Sequence, residues 1–146
     1  MCIRDSDNTL YLTITSTTLV EFLISKGLKR GDKILQQVDI PDWIMQDSIL
    51  QQWCVRGLID TDGSIYYHTH TTRGIQYQNI GLCFTSYSVS LLKSVHQILQ
   101  DSGLNAKSDG KRHVAIYGEA GIRNYFAKIG TSNPKHLVRF YRWLDR

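Results

Sequence analysis

An α+β fold with an antiparallel sheet is the class that this 146-residue chain predicts. Three observations predict it. Runs of alternating hydrophobicity come in adjacent pairs, each pair joined by a short turn-forming link, so neighbouring strands run antiparallel. Segments with apolar residues three and four apart separate and follow those pairs, which places helices between hairpins. A hydrophobic content of 42% over this length suffices for one ordinary core and is too little for two full domains.

The elements follow in order. Residues 9 to 16, TLYLTITS, alternate Leu10, Leu12 and Ile14 with polar or aromatic neighbours and read as a strand. Ser16 or Thr17 caps a helix through TTLVEFLISKG, which Gly27 stops. LKRGDKILQQVDIPDWI is a connector, with Pro41 in the first turn of a short helix and Trp43 and Ile44 as anchors. A helix from Asp47 or Ser48 repeats Ile49, Leu50, Trp53, Cys54, Gly57 and Leu58 at three and four. SIYYHTH and IQYQNIGLCFT form a hairpin about TTRG. SVSLLKSVHQILQDSG is an amphipathic helix capped at Ser88 or Ser90, and a hairpin about Asp109-Gly110 returns through HVAIY. The helices AGIRNYFAKIG and PKHLVRFYRWLDR close the chain. Trp43, Trp53 and Trp143 sit at apolar spacings and are expected in the core.

No apolar run approaches the roughly eighteen residues of a membrane span, so a membrane role is not expected. Cys2, Cys54 and Cys83 have neither metal-ligand spacing nor an even framework, which points to a reducing, intracellular setting. Charge is uneven. Residues 107 to 146 carry nine Lys/Arg against three Asp/Glu, while residues 1 to 106 carry eight against ten. A basic C-terminal third suits a polyanion, and an amphipathic, solvated helix is the competing explanation.

The stretch WCVRGLIDTDGSIYYH, residues 53 to 68, concentrates the chemistry. Gly57 costs a helix interior about 1 kcal/mol relative to Ala, and close approach of another backbone is the usual compensation. Cys54, Gly57 and Thr61 line one helical face with small groups, which lets two like helices cross nearly in contact. Asp60 and Asp62 end that helix, and Gly63 permits the sharp exit into the strand. Two such ends brought together would concentrate the carboxylate oxygens that Mg²⁺ prefers. A plain helix stop and turn is the alternative, since Asp and Gly are common turn residues.

VRGLIDTDG resembles the signature of the LAGLIDADG homing endonucleases, matching at Gly57, Leu58, Ile59, Asp60, Asp62 and Gly63. FTSYSVSLLKSVHQIL and KIGTSNPKH also resemble that family's second helix and basic catalytic segment. The resemblance implies an αββαββα unit with an antiparallel DNA-binding sheet. It implies that Asp62 binds the catalytic metal, with Thr61 contributing its carbonyl, and that Asp60 is a structural partner at the helix end. It also implies that Lys135 organises water and the scissile phosphate, that Lys33 is the matching residue of a preceding repeat, and that Ser88 lies nearest a water-holding position.

Alternation supplies the DNA-facing surface independently of the resemblance. Ile65 and Tyr67 face one side, with Ser64, Tyr66, His68 and His70 on the other. Ile80, Leu82 and Phe84 face the core, leaving Tyr77, Asn79 and Thr85 outward. Between Ser64 and Leu92 Arg73 is the sole Asp, Glu, Lys or Arg, which suits a ribbon that reads base edges by hydrogen bonds. Phosphate contacts fall to Lys107, Lys111, Arg112, the neighbouring His113 and the basic C-terminal helix. Ordinary surface histidine is the competing explanation for His68 and His70, and HTH alone is no zinc signature. Gln76 and Gln78 fall in phase with the core face and receive no role, and Cys54 reads as a packing residue.

A faint internal echo completes the reading. Ile14 falls on Ile116 and Lys33 on Lys135 at an offset of 102, and Gly27 falls on Gly130 within one residue of it. MCIRDS resembles a translated sequencing adaptor and is set aside as a scar. The expected organisation is therefore scar 1–6, the end of a preceding repeat and connector 7–46, and an endonuclease domain 47–146. One motif makes half of an active site, so a second repeat, in a missing N-terminal part or a homodimer mate, is the expected partner beside double-stranded DNA. The expected function is site-specific, Mg²⁺-dependent double-strand cleavage in the service of a mobile intron or intein. The alternative is a non-cleaving nucleic-acid-binding protein, such as an intron-splicing maturase or a regulator on the same scaffold.

Overall fold

The computed structural model describes residues 2–6 and 9–146, with side chains from residue 13 onward. The chain divides into two compact units, residues 1–31 and 32–146. In the first, β1 (Cys2–Ser6) pairs antiparallel with β2 (Thr9–Thr13), and α1 (Thr17–Ser25) follows. Ser16 caps α1 by accepting the Leu19 N–H at 3.2 Å, and none of its side chains is buried. The strand expected over 9–16 stops at Thr13, leaving Ile14 beyond it and exposed. The backbone of the adaptor-like residues 2–6 supplies β1, an element that reading had left out. Met1, Asp7 and Asn8, and the side chains of Leu10 and Leu12, lie outside the described residues.

The second unit runs α2 (Asp42–Met45), α3 (Ser48–Asp62), β3 (Gly63–Thr72), β4 (Ile75–Thr85), α4 (Val89–Asp101), β5 (Lys107–Ser108), β6 (His113–Tyr117), α5 (Glu119–Lys128) and α6 (Pro134–Leu144). Four strands make one antiparallel sheet in the order β3-β4-β6-β5. Helices cover one face of it. Val55 and Ile59 of α3, Leu92, Val95, Ile98 and Leu99 of α4, and Ile122 and Tyr125 of α5 bury against Ile65, Ile80, Leu82, Phe84, Val114 and Ile116 of the sheet. This is the α+β, antiparallel arrangement that the spacing predicts.

Capping residues set the helix ends. Asp47 accepts the Ile49 and Leu50 N–H groups at 2.8 and 3.1 Å, so α3 starts at Ser48. Ser88 caps α4, and Asn133 caps α6 with Pro134 in its first turn. Pro41 is the cap position of α2 and stands just outside the helical turn expected for it. At the tip of the β3–β4 hairpin Arg73 and Gly74 take φ of 52° and 77°, the two-residue turn that matches strand twist.

The second compact unit begins at Asp32, because the connector packs into it. Ile40 joins the core, the Ser88 hydroxyl donates to the Val38 carbonyl at 2.6 Å, and Gln37 accepts the Val89 N–H at 3.0 Å. Among the tryptophans, Trp43 is 48% and Trp53 59% exposed, and only Trp143 packs against the core. Apolar spacing finds a stripe on a helix and not what covers it; the buried side of α3 is the Val55–Ile59 side, and Trp53 lies off it.

Candidate nucleic-acid interface and metal site

The sheet face turned away from the helices carries the residues that alternation assigned to it. Register pairs Ser64 with Cys83, Tyr66 with Gly81, His68 with Asn79, His70 with Tyr77, and Thr85 with His113. Partners in an antiparallel ladder share a face, so these ten residues, with nine side chains, form one surface. Rings run along it: Tyr66 to His68 at 5.8 Å, His68 to His70 at 6.0 Å, and His70 to Tyr77 at 5.5 Å between centroids. Asn79 bonds His70 at 3.4 Å, and Thr85 bonds His113 Nδ1 at 3.1 Å. Gly81 makes room for this strip, since a Cβ there would sit 2.7 Å from the Tyr66 ring.

Beside the strip lies a trough of about 570 Å³, walled by Tyr66, Tyr117, Lys107 and His113 over a floor of Cys83 and Ala115. Lys107, Lys111 and Arg112 stand exposed on and beside the β5–β6 turn. Asp109 shapes that turn by accepting the N–H groups of Lys111, Arg112 and His113 at 2.8–2.9 Å, which holds its carboxyl well below the usual carboxylate range. The Arg112 guanidinium lies 4.3 Å over the Tyr87 ring and donates to its hydroxyl. Arg73 sits at the hairpin tip, exposed.

At the end of the same face, Asp62 and Lys33 line one recess of about 430 Å³ with Thr85, Tyr87 and Ser88. The family resemblance implies that Lys33 belongs to a preceding repeat; folding of the connector onto α4 brings it to the Asp62 recess. Ser88 has no hydroxyl proton left for water. It is 2% exposed, donates to Val38 and caps Leu91. Tyr87 is the recess residue that the sequence reading missed, and its position next to Ser88 was the available signal.

The two aspartates differ in their surroundings. Asp62 is exposed. Asp60 is held: the Thr131 hydroxyl donates to Oδ1, the Ser132 N–H donates to Oδ2 at 2.7 Å, and His136 Nδ1 lies 3.7 Å away. Asn133 Nδ2 donates to the Asp60 main-chain carbonyl at 2.7 Å. Asp60 therefore ties the end of α3 to the segment that starts α6, where Lys135 stands exposed in the first turn. Thr61 turns its hydroxyl back to the Gly57 and Leu58 carbonyls, both at 3.1 Å.

A family model for a LAGLIDADG-like domain matches residues 50–130, more than half of the chain and all of the Gly57–Gly63 motif. The chain belongs to this LAGLIDADG-like family. It is 26% identical over 141 residues to the tRNA-splicing ligase RtcB of Pyrococcus furiosus; the match covers 88% of this chain and spans only 14% of that protein. Among solved structures it is similar to a LAGLIDADG homing endonuclease, I-GzeII, determined in complex with its DNA target, with 17% identity and a TM-score of 0.41. That match covers 55% of this chain and 29% of the endonuclease chain.

The remaining LAGLIDADG-helix residues fall on two sides. Val55 and Ile59 enter the core, and Arg56 donates to the Ile129 carbonyl at 2.6 Å. Ile49, Trp53, Gly57 and Thr61, four apart, are exposed in one stripe, with Cys54 and Leu58 half-buried on its flank. A Cβ on Gly57 would meet nothing within 4 Å, so no contact inside this chain requires glycine there. Burial pushes the Cys54 thiol up, as befits a packing residue. Gly63 has a different reason from the sharp exit expected of it. Its φ of −95° suits any residue, but a Cβ would stand 2.4 Å from the Ile59 carbonyl oxygen. Gly63→Ala is expected to cost about 1–3 kcal/mol by forcing the helix end apart, visible as a lowered midpoint in urea unfolding.

Among the described residues no three His, Cys, Asp or Glu side chains gather to hold a metal. One exposed carboxylate with an adjacent main-chain carbonyl fits half of a Mg²⁺ site, since Mg²⁺ takes one or two carboxylates and fills its octahedron with waters and phosphate oxygens. No helix among the described residues is long and apolar enough to cross a membrane.

Proposed function

We propose that this chain is half of a site-specific, intracellular DNA endonuclease. The observation that carries the reading is the shared recess of Asp62 and Lys33 at the end of an uncharged, hydrogen-bonding sheet face. The face docks in the major groove, where His68, His70, Asn79, Tyr77, Tyr66, Ser64 and Thr85 meet base edges. Lys107, Lys111, Arg112 and Arg73 neutralise phosphates around it, and His113 holds Thr85 in place. Asp62, with the Thr61 carbonyl, would hold Mg²⁺, and the ion would supply charge stabilisation at the scissile phosphate and an acidified water. Lys33 and Lys135 are the cations that orient that phosphate and water, and Asp60 fixes the helix end on which Asp62 stands.

Half a site needs a mate. The exposed stripe through Trp53 and Gly57 is where a second such helix packs, from a longer chain or another copy. Gly57→Ala is expected to raise the stability of the isolated chain by up to about 1 kcal/mol, because no internal contact opposes the methyl group. The same change should weaken self-association in sedimentation velocity. Wild-type chain that stays monomeric at all concentrations would count against the mate.

The test of function is Mg²⁺-dependent cutting of a pooled plasmid library by the purified chain. Recovered ends should share one long site, and absence of cutting together with absence of duplex binding overturns the reading. A second reading, RNA binding in intron splicing, is favoured by the Tyr66–His68–His70–Tyr77 strip of rings, because rings stack on unpaired bases. Tighter binding to single-stranded RNA than to duplex DNA would select it.

A further inference from the structure

Resting on that reading, we propose that Asn133 is a positioning residue that fixes Lys135 relative to Asp62. One side-chain amide does two things. Its Oδ1 accepts the Lys135 N–H at 2.9 Å, which starts α6 and sets the residue that carries the cation. Its Nδ2 donates at 2.7 Å to the carbonyl of Asp60, two residues before Asp62 at the end of α3. The sequence Thr131-Ser132-Asn133 closes the link. The Thr131 hydroxyl takes the Asn133 N–H at 3.1 Å while donating to Asp60, and the Ser132 N–H donates to the other carboxylate oxygen.

The consequence is geometric. Seventy-one residues lie between the end of α3 and the start of α6, and the Asn133 amide touches the chain two residues before Asp62 on one side and at the Lys135 N–H itself on the other. Only Asn serves both ends. Asp and Ser cap helices comparably, but neither donates to the Asp60 carbonyl as an amide does. A displacement of about 1 Å at a reacting centre costs up to ~10²-fold in rate, so losing the second bond should be felt in the chemical step before it is felt in stability.

Asn133→Asp and Asn133→Ser keep the cap and remove the staple. With Mg²⁺ and its duplex site, both should cut about 10–100-fold more slowly, with duplex affinity close to wild type and an unfolding midpoint lowered by less than in Asp60→Ala. On a Lys135→Ala background the same change should cost little further, because it acts through Lys135. Equal losses in both backgrounds, or no loss in either, overturn the proposal. The staple is also read without activity. In Asn133→Asp, hydrogen exchange at the Gly63 amide, which bonds the Ile59 carbonyl, should rise while the Lys135 amide stays protected. Unchanged Gly63 exchange overturns it. A wild type that shows this exchange pattern but neither cuts nor binds DNA leaves the staple standing and removes the endonuclease reading instead.

Discussion

Asp62→Asn is expected to abolish Mg²⁺-dependent cutting while duplex affinity stays within a few-fold of wild type. The substitution keeps the size of the side chain and one acceptor oxygen but removes the charge that holds a divalent cation. Metal-borne charge stabilisation is worth several kcal/mol and each ~1.4 kcal/mol is tenfold in rate, so the loss should reach at least about 10²-fold. Stability should hardly change, because the Asp62 carboxylate is exposed and no core contact depends on it. Parallel cleavage and fluorescence-anisotropy titrations decide the matter. An Asp62→Asn variant that cuts normally removes the proposed metal ligand. If wild type and variant bind equally and neither cuts, the non-cleaving reading is selected.

Asp60→Ala should do the reverse, unfolding the chain more easily. Asp60 is 13% exposed at its side chain and takes donors from Thr131 and Ser132, with His136 beside it. Removing the carboxylate leaves the Thr131 hydroxyl and the Ser132 N–H short of acceptors and frees α3 from α6. The expected cost is about 1–3 kcal/mol, since hydrogen bonds to charged groups are the stronger ones. For a chain of this size that corresponds to a melting point lower by roughly 2–12 °C. Asp60→Asn should fall short of rescue, because an amide offers one oxygen where the carboxylate offers two and sets its own donor against another. A calorimetric scan in which Asp60→Ala melts with wild type would show that the clamp holds nothing, and the distinction between the two acids would fail with it.

Much of this was legible from local rules. Periodicity located α3, α4, α5 and α6 to within a residue or two, because helix spacing and caps are properties of short windows. Strand alternation placed Ser64, Tyr66, His68, His70, Tyr77, Asn79 and Thr85 on one face, and register agrees at every one. It had no means to show that Gly81 stands under Tyr66, or that Arg112 rests on Tyr87, since both are contacts across elements. α1 begins at Thr17 and α5 at Glu119, 102 residues apart, the separation that also lies between Lys33 and Lys135.

What the sequence by itself determined is the αββαββα order, the capping pattern, the family and the two acids at the end of α3, because each depends on residue types at fixed local separations. Tertiary structure alone decided which acid is bonded into the scaffold and which stands exposed. It also brought Lys33 from a connector to the Asp62 recess, exposed Trp53, and consumed the Ser88 hydroxyl. The physical reason is common to all four. Whether a polar group is free, or an apolar one covered, depends on partners brought close from elsewhere in the chain, as Thr131 and Ser132 are to Asp60.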